Sequence, residues 1–95
     1  METKIKAIHF DMSEKLESYI TKKVDKLTRR FEAATEVEVI LKVVKPETAA
    51  NKEASVKVVV KGAEFYASKT ADTFEDAVNQ CLNALEPQLE KNKNN

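Results

Sequence analysis

The sequence predicts a single α+β domain with the order β-α-β-β-β-α, in which a four-stranded mixed sheet carries two helices on one face. Two segments repeat apolar residues at the helical period, and the remaining segments alternate apolar and polar residues as strands do. A strand-helix-strand start favours a right-handed parallel crossover, whereas the later strands are close enough in sequence to pair as antiparallel hairpins. The 95 residues suffice for one domain with one core.

The first strand is predicted over residues 4–10, and the helix that follows it over about 14–32. Ser13 is suited to the N-cap of this helix, and the carboxylates of Glu14 and Glu17 suit the positive end of its dipole. Its apolar stripe, which must face the core, comprises Leu16, Ile20, Val24, Leu27 and Phe31.

Residues 36–44 show an alternating pattern, which predicts a second strand with Val37, Val39, Leu41 and Val43 facing inward. Pro46 should end this strand, and residues 46–54 should form a polar connection to the next one.

Val56, Val58 and Val60 predict the inward face of a third strand. A turn at Gly62, the only glycine, then leads to a fourth strand that should end near Lys69. Because the helices cover one face of the sheet, the opposite face should meet water. The side chains expected there are Glu36, Glu38, Lys42, Lys57 and Lys61.

Asp72 or Thr73 is expected to cap the second helix. The apolar stripe of this helix comprises Phe74, Val78, Cys81, Leu85 and Leu89. Pro87 lacks an N–H and clashes with the carbonyl four residues before it, so the helix should kink or end there. Residues 91–95 should form a frayed tail.

The net charge of zero conceals an uneven distribution along the chain. Residues 1–30 hold eight Lys or Arg and five Asp or Glu, whereas residues 31–95 hold eight and eleven. Behind the apolar stripe of the first helix, four basic residues fall within about 60° of the circumference, and two more widen that side. The four are Lys15, Lys22, Lys26 and Arg29, and the two are Lys23 and Arg30. This sorting predicts a surface that meets a polyanion such as RNA.

Catalysis and metal binding lack candidate residues. One glycine cannot build a phosphate-cradling loop, and no Ser-His-Asp set stands out. His9 is the only histidine and Cys81 the only cysteine, so we expect no metal site, no cofactor and no internal disulfide. Cys81 should be a buried, inert thiol. No apolar leader and no membrane-spanning run is present, so a cytoplasmic location is expected.

Several short stretches carry a resemblance to a known family. They are Ile-His-Phe-Asp at 8–11, Tyr-Ile-Thr-Lys-Lys-Val-Asp-Lys-Leu at 19–27, Glu-Val-Ile-Leu-Lys-Val at 38–43, Gly-Ala-Glu-Phe-Tyr-Ala-Ser at 62–68, Thr-Phe-Glu-Asp-Ala-Val at 73–78 and Leu-Glu-Pro-Gln-Leu-Glu-Lys-Asn-Lys at 85–93. In this order and spacing they resemble the ribosome hibernation promoting factor family, also called protein Y, ribosome-associated inhibitor or sigma-54 modulation protein. The resemblance runs from about Ile5 to Lys93.

The resemblance implies a non-enzymatic inhibitor of translation that binds the small ribosomal subunit against ribosomal RNA during stress. There it would block the messenger and transfer RNA sites by occupying them. Positions where the family presents Lys or Arg to RNA match Lys22, Lys23, Lys26 and Arg29, with Lys15, Arg30, Lys91 and Lys93 as secondary candidates. The resemblance also implies a short member of the family, which we expect to be monomeric off the ribosome.

The second helix departs from the family pattern. Relatives tend to be basic near its end, whereas residues 72–90 hold five acids and no base. This difference leaves open a protein-interaction module that uses the acidic second helix and does not bind ribosomes. A double-stranded RNA-binding domain is a third alternative, because its α-β-β-β-α order is contained in this one. The extra first strand and the lack of a Gly- and Lys-rich start to the last helix argue against it.

Overall fold

The computed structural model describes residues 2–44 and 51–93 of the chain. Its elements are β1 (Glu2–Ile8), α1 (Glu14–Arg30), β2 (Ala34–Val43), β3 (Lys52–Val60), β4 (Ala63–Ala71) and α2 (Phe74–Lys93). The predicted order and the α+β fold class are therefore confirmed.

The four strands form one sheet in the order β1-β2-β3-β4. β1 pairs parallel to β2, whereas β3 pairs antiparallel to both β2 and β4. β1, β2 and β4 therefore run in the same direction. Because α1 follows β1 and α2 follows β4, both helices return across the sheet in the opposite direction, and they run parallel to each other.

The core lies between the sheet and the two helices. The pairing register places Val39 of β2 opposite Ile5 of β1 and Val56 of β3, so that their side chains share the helix-covered face. Both helices contribute side chains with no exposed surface, as do the strands. Among the largest of these are Ile20, Val24, Val37, Val39, Leu41, Val56, Val58, Val78 and Leu85.

The opposite face of the sheet is mostly polar, as the alternation predicted, although Ile40 and Val59 also lie on it and Lys61 lies in the turn after β3. One row of paired residues crosses all four strands through Lys4, Glu38, Lys57 and Tyr66. The Lys57 ammonium lies 3.9 Å from the Glu38 carboxylate, and Tyr66 is 60% exposed. The carboxylates of neighbouring acids, Glu2 first, raise the pKa of Lys4 above its usual value.

Several predicted strand boundaries were wrong. β1 begins and ends two residues earlier than predicted, and His9 lies beyond it with a φ of 62°. β3 begins at Lys52, inside the predicted connection, because Ala54 is fully buried opposite Leu41 of β2. β4 continues past Lys69 to Ala71 because it stays paired with β3. Residues 46–50 of the predicted connection lie outside the described residues.

The predicted helix caps are confirmed, with Thr73 chosen over Asp72. The backbone N–H of Leu16 donates to Ser13 Oγ at 3.1 Å, and the N–H of Asp76 donates to Thr73 Oγ1 at 3.1 Å. α1 ends at Arg30, two residues before the predicted end.

Of the two outcomes predicted at Pro87, a kink or an end of the helix, the end is wrong. The helix continues through it to Lys93, so Lys91 also belongs to the helix and not to a frayed tail. Leu85 and Leu89, on either side of the proline, are at most 2% exposed. Burying these two side chains against the sheet favours a continuous helix, which outweighs the hydrogen bond that a proline cannot donate. Residues 94–95 lie outside the described part of the chain.

Candidate nucleic-acid interface

Four basic side chains form an exposed surface on α1, which we call the basic face: Lys15, Lys22, Lys26 and Arg29. The stripe that contains Ile20 and Val24 is buried on the other side of the same helix. In the described part of the chain, none of the four basic side chains takes part in a hydrogen bond or an ion pair. The basic face is therefore a set of charges available to an outside partner.

The local sequence explains why these charges share one side of α1. Spacings of three, four and seven residues return a side chain to nearly the same angle around a helix. Ser13 fixes where the helix starts, and the buried stripe fixes how it is rotated against the sheet. The cap and the buried stripe therefore determine where the basic face lies. The four basic side chains need no contact with one another to share that side.

Lys23 and Arg30 lie beside the basic face, on its border with α2. They occupy the flank of α1 that faces α2, together with Tyr19. The Lys23 ammonium lies 5.5 Å from the centre of the Tyr19 ring, at cation–π distance, and its side chain is only half exposed. The sequence grouped all six bases, whereas the structure turns Lys15, Lys22 and Arg29 outward and places Lys23 and Arg30 beside α2. Lys26 lies at the border, because it is exposed and also lines the space between the helices.

Two hydrogen bonds join α1 to α2 at a constant offset. The side-chain amide of Asn79 donates to the Tyr19 hydroxyl at 2.6 Å, and Arg30 Nη2 donates to Glu90 Oε1 at 2.7 Å. Each bond links residues 60 positions apart. The two parallel helices therefore stay in register over nearly their whole contact.

A groove of about 190 Å³ lies between these two bonds. Its floor includes the buried side chains of Leu27 and Leu82. Lys23 and Lys26 line the α1 side, and residues that include Asn83 and Glu86 line the α2 side.

Arg30 is shared between two carboxylates of α2. Its Nη1 lies 3.7 Å from Glu86 Oε1, while its Nη2 lies 2.7 Å from Glu90 Oε1. The guanidinium also lies 5.2 Å from the centre of the Phe31 ring. Sequence reasoning missed this contact, although one signal was present. Glu86 and Glu90 are four residues apart on α2, as Lys26 and Arg30 are on α1, so each pair faces one side of its helix.

One secondary candidate near the C-terminus, Lys91, lies elsewhere. Lys91 is exposed and lines a shallow cavity with Phe65 of β4, on the side of α2 that faces away from α1. Lys93 is the last residue of α2. The structure therefore does not bring Lys91 together with the basic face.

Cys81 lies away from the basic face, in the core. Cys81 is fully buried, its Sγ lies 3.2 Å from the Ala54 carbonyl oxygen, and burial raises the pKa of its thiol to about 11. The burial of this thiol, which the sequence predicted, is therefore confirmed. Residues 2–44 and 51–93 contain no cluster of three potential metal ligands. Neither helix described is apolar enough over its length to cross a membrane.

The comparisons with known proteins agree with this fold. The family described as Sigma 54 modulation protein / S30EA ribosomal protein matches residues 3–95. The structure of a ribosomal subunit interface protein from Coxiella burnetii is similar, with a TM-score of 0.86, 20% identity and 100% coverage of both chains. The protein Y N-terminal domain from Thermus thermophilus is also similar, with a TM-score of 0.76 and 18% identity over 93% of each chain. No curated protein matches.

Proposed function

This chain belongs to the family of sigma 54 modulation proteins and S30EA ribosomal proteins, and we propose that it binds the small ribosomal subunit and silences translation. The family is one of ribosome-associated proteins that are not enzymes, as the resemblance predicted. The finer proposal is that binding occupies the messenger and transfer RNA sites, so that inhibition needs no chemical step.

The basic face of α1 is the observation that carries this proposal. Its four cations are exposed, and no carboxylate of the described residues forms an ion pair with them. Contact with RNA phosphates would release counterions, which favours binding strongly at low salt. Such phosphate contacts distinguish little between RNA sequences. Helical RNA presents mainly phosphates and 2′-hydroxyls to side chains, which suits recognition by a helix face.

The proposed RNA contacts follow the order given by the sequence. Lys22, Lys26 and Arg29 on the basic face are primary contacts, and Lys23, at the edge of the groove, joins them. The secondary contacts are Lys15, Arg30, Lys91 and Lys93. We further propose that the chain is monomeric off the ribosome and works in the cytoplasm, where its ribosomal partner would be.

Co-sedimentation with purified small subunits tests the proposal. Wild type should pellet with subunits at about 50 mM salt and should be released at about 500 mM. The triple variant Lys22→Glu, Lys26→Glu, Arg29→Glu should not pellet at either concentration. All three side chains are exposed, so the circular-dichroism spectrum of the variant should match that of wild type.

A matched control distinguishes the effect of the basic face on binding from the effect of net charge alone. The variant Lys6→Glu, Lys42→Glu, Lys61→Glu changes the charge equally at exposed positions outside α1. It should bind nearly as wild type does. Equal loss of binding in both triple variants, or binding that resists salt, would contradict the proposal.

A further inference from the structure

The contact between Arg30 and α2 bears on how tightly the chain can hold RNA. The two Nη atoms of Arg30 contact carboxylates of different residues, Glu86 and Glu90. A carboxylate and a phosphate are alternative partners for the same guanidinium donors. In the free chain, α2 therefore supplies the anion that RNA would otherwise supply.

The geometry leaves Arg30 within reach of an outside ligand. Its side chain is 52% exposed, and the two glutamate side chains are 40% and 39% exposed. Ion pairs with this exposure contribute little to folding stability. Phosphate could thus replace the carboxylates without disturbing the core.

The glutamates also border the path of an RNA backbone. Glu86 lines the same groove as Lys23 and Lys26, so a phosphate that follows the groove from these lysines meets Glu86 next. Like charges repel most strongly where water is partly excluded. Attraction on the α1 side and repulsion at Glu86 would confine the backbone to the outer side of α1.

We propose that Glu86 and Glu90 limit the affinity of the basic face for RNA by holding the Arg30 guanidinium, which RNA phosphate captures only by displacing them. This inference rests on the proposed function and deepens it, because it assigns Arg30 a partner in each state. It also accounts for an acidic α2 in a protein that binds RNA.

The double variant Glu86→Gln, Glu90→Gln tests the proposal through its affinity for small subunits. Amides keep the shape of the side chains and can still accept a hydrogen bond, but they remove the two negative charges that hold Arg30. We expect the variant to bind small subunits about tenfold more tightly than wild type does at about 100 mM salt. The slope of log affinity against log salt should also steepen by the amount that about one phosphate contact contributes. The control Glu53→Gln, Glu64→Gln makes the same charge change in β3 and β4, on the open face of the sheet. It should raise affinity less than about twofold at the same salt.

Arg30→Gln, combined with the double variant, shows whether the gain passes through Arg30. The two effects should be coupled, so that the tenfold gain falls below about twofold when Arg30 is absent. A gain that survives loss of Arg30, or no gain at all, would overturn the proposal. Loss of subunit binding in the double variant would also overturn it, and would indicate that the glutamates bind a basic protein partner.

Failure of the inference differs from failure of the proposed function. If wild type binds in a salt-dependent way and the basic-face variant does not, while the glutamate variant gains nothing, only the inference fails. If wild type does not bind small subunits at low salt, both fail.

Discussion

The aromatic rings of Phe10 and Phe74 lie face to face, with centroids 4.9 Å apart and planes inclined by 6°. Phe10 precedes α1 and Phe74 begins α2, so this stack joins the starts of the two parallel helices. The Tyr19–Asn79 and Arg30–Glu90 bonds join the helices further along. Helix α1, and with it the basic face, is therefore held against α2 at both of its ends.

Removing the Phe10 ring should destabilise the domain without touching the basic face. Phe10→Ala should lower the free energy of unfolding by about 2 kcal/mol, because the ring is half buried and loses its partner. Phe10→Leu should cost about 1 kcal/mol, because it keeps apolar area and loses the ring stack. Urea unfolding followed by circular dichroism measures both values. Equal stability of the alanine variant and wild type would show that the stack contributes nothing.

Replacing Pro87 by alanine should stabilise the chain. Alanine supplies the N–H that the Asn83 carbonyl lacks, at an exposed position within α2. Proline in a helix interior is disfavoured by about 3 kcal/mol. Because proline also restricts the unfolded chain, part of this penalty is offset, and we expect the free energy of unfolding to rise by about 2 kcal/mol. Thermal and urea unfolding measure the gain. A lower midpoint for Pro87→Ala would contradict this account of α2.

Gly62 should resist substitution for backbone reasons alone. Its φ is 80°, and a β-carbon at this position would meet no other atom within 4 Å. Gly62→Ala should therefore cost about 1 kcal/mol from the left-handed backbone and nothing from crowding. Gly62→Asn should cost less, since asparagine tolerates this conformation. Equal losses for the two variants in urea unfolding would argue against a conformational origin.

The Cys81 thiol should make the domain less stable at high pH. The unfolded chain releases the thiol proton near the ordinary pKa of 9.0, whereas the folded chain keeps it until about 11. The folded state then binds more protons, so the free energy of unfolding should fall by about 2 to 3 kcal/mol across this range. Below pH 9 this contribution should be fully present.

Comparing wild type with Cys81→Ala isolates this effect from other groups that titrate at high pH. The difference in stability between the two proteins should shrink from pH 8 to pH 11 by about 2 to 3 kcal/mol. The native thiol should also resist alkylation at pH 8 and react after unfolding in urea. Rapid alkylation of the folded protein would contradict burial of Cys81.

A single lysine of the basic face should contribute one phosphate contact. Lys26→Ala should weaken subunit binding about fivefold at low salt and reduce the slope of log affinity against log salt by about 0.7 to 0.9. Lys42→Ala, on the open face of the sheet, should leave the slope unchanged. Titrations at several salt concentrations give both slopes. Equal slopes for Lys26→Ala and wild type would show that Lys26 does not contact a phosphate.

Local periodicity made much of the fold predictable. The stripe from Leu16 to Phe31 and the cap at Ser13 fixed α1 to within two residues, because both signals are contained in the helix itself. The start of β3 was not predictable in this way. Ala54 belongs to a strand because Leu41 pairs with it across the sheet, and a short polar segment does not reveal its partner. The local preference at Pro87 allowed either a kink or an end, and tertiary packing decided that the helix continues.

The candidate site divides similarly. The outward direction of Lys22 and Arg29 follows from the helical period, and the structure places both on the exposed side of α1. The partners of Arg30 could not be deduced, because they depend on how α1 and α2 align 60 residues apart. That any of these residues binds RNA stays a prediction.

The charges of this chain sum to zero, but they are unevenly distributed over its surface, because the basic side chains are sorted to one side of α1. A body without net charge feels little overall pull toward a polyanion, but separated charges experience a torque in its field. The sixteen basic and sixteen acidic residues cancel in sum, while α1 turns its free cations outward and pairs Arg30 inward. Such a molecule would approach a ribosome by diffusion without long-range electrostatic acceleration, and it would rotate as it drew near. The charge distribution of the chain would influence the orientation in which it meets the ribosome more than how often it does so.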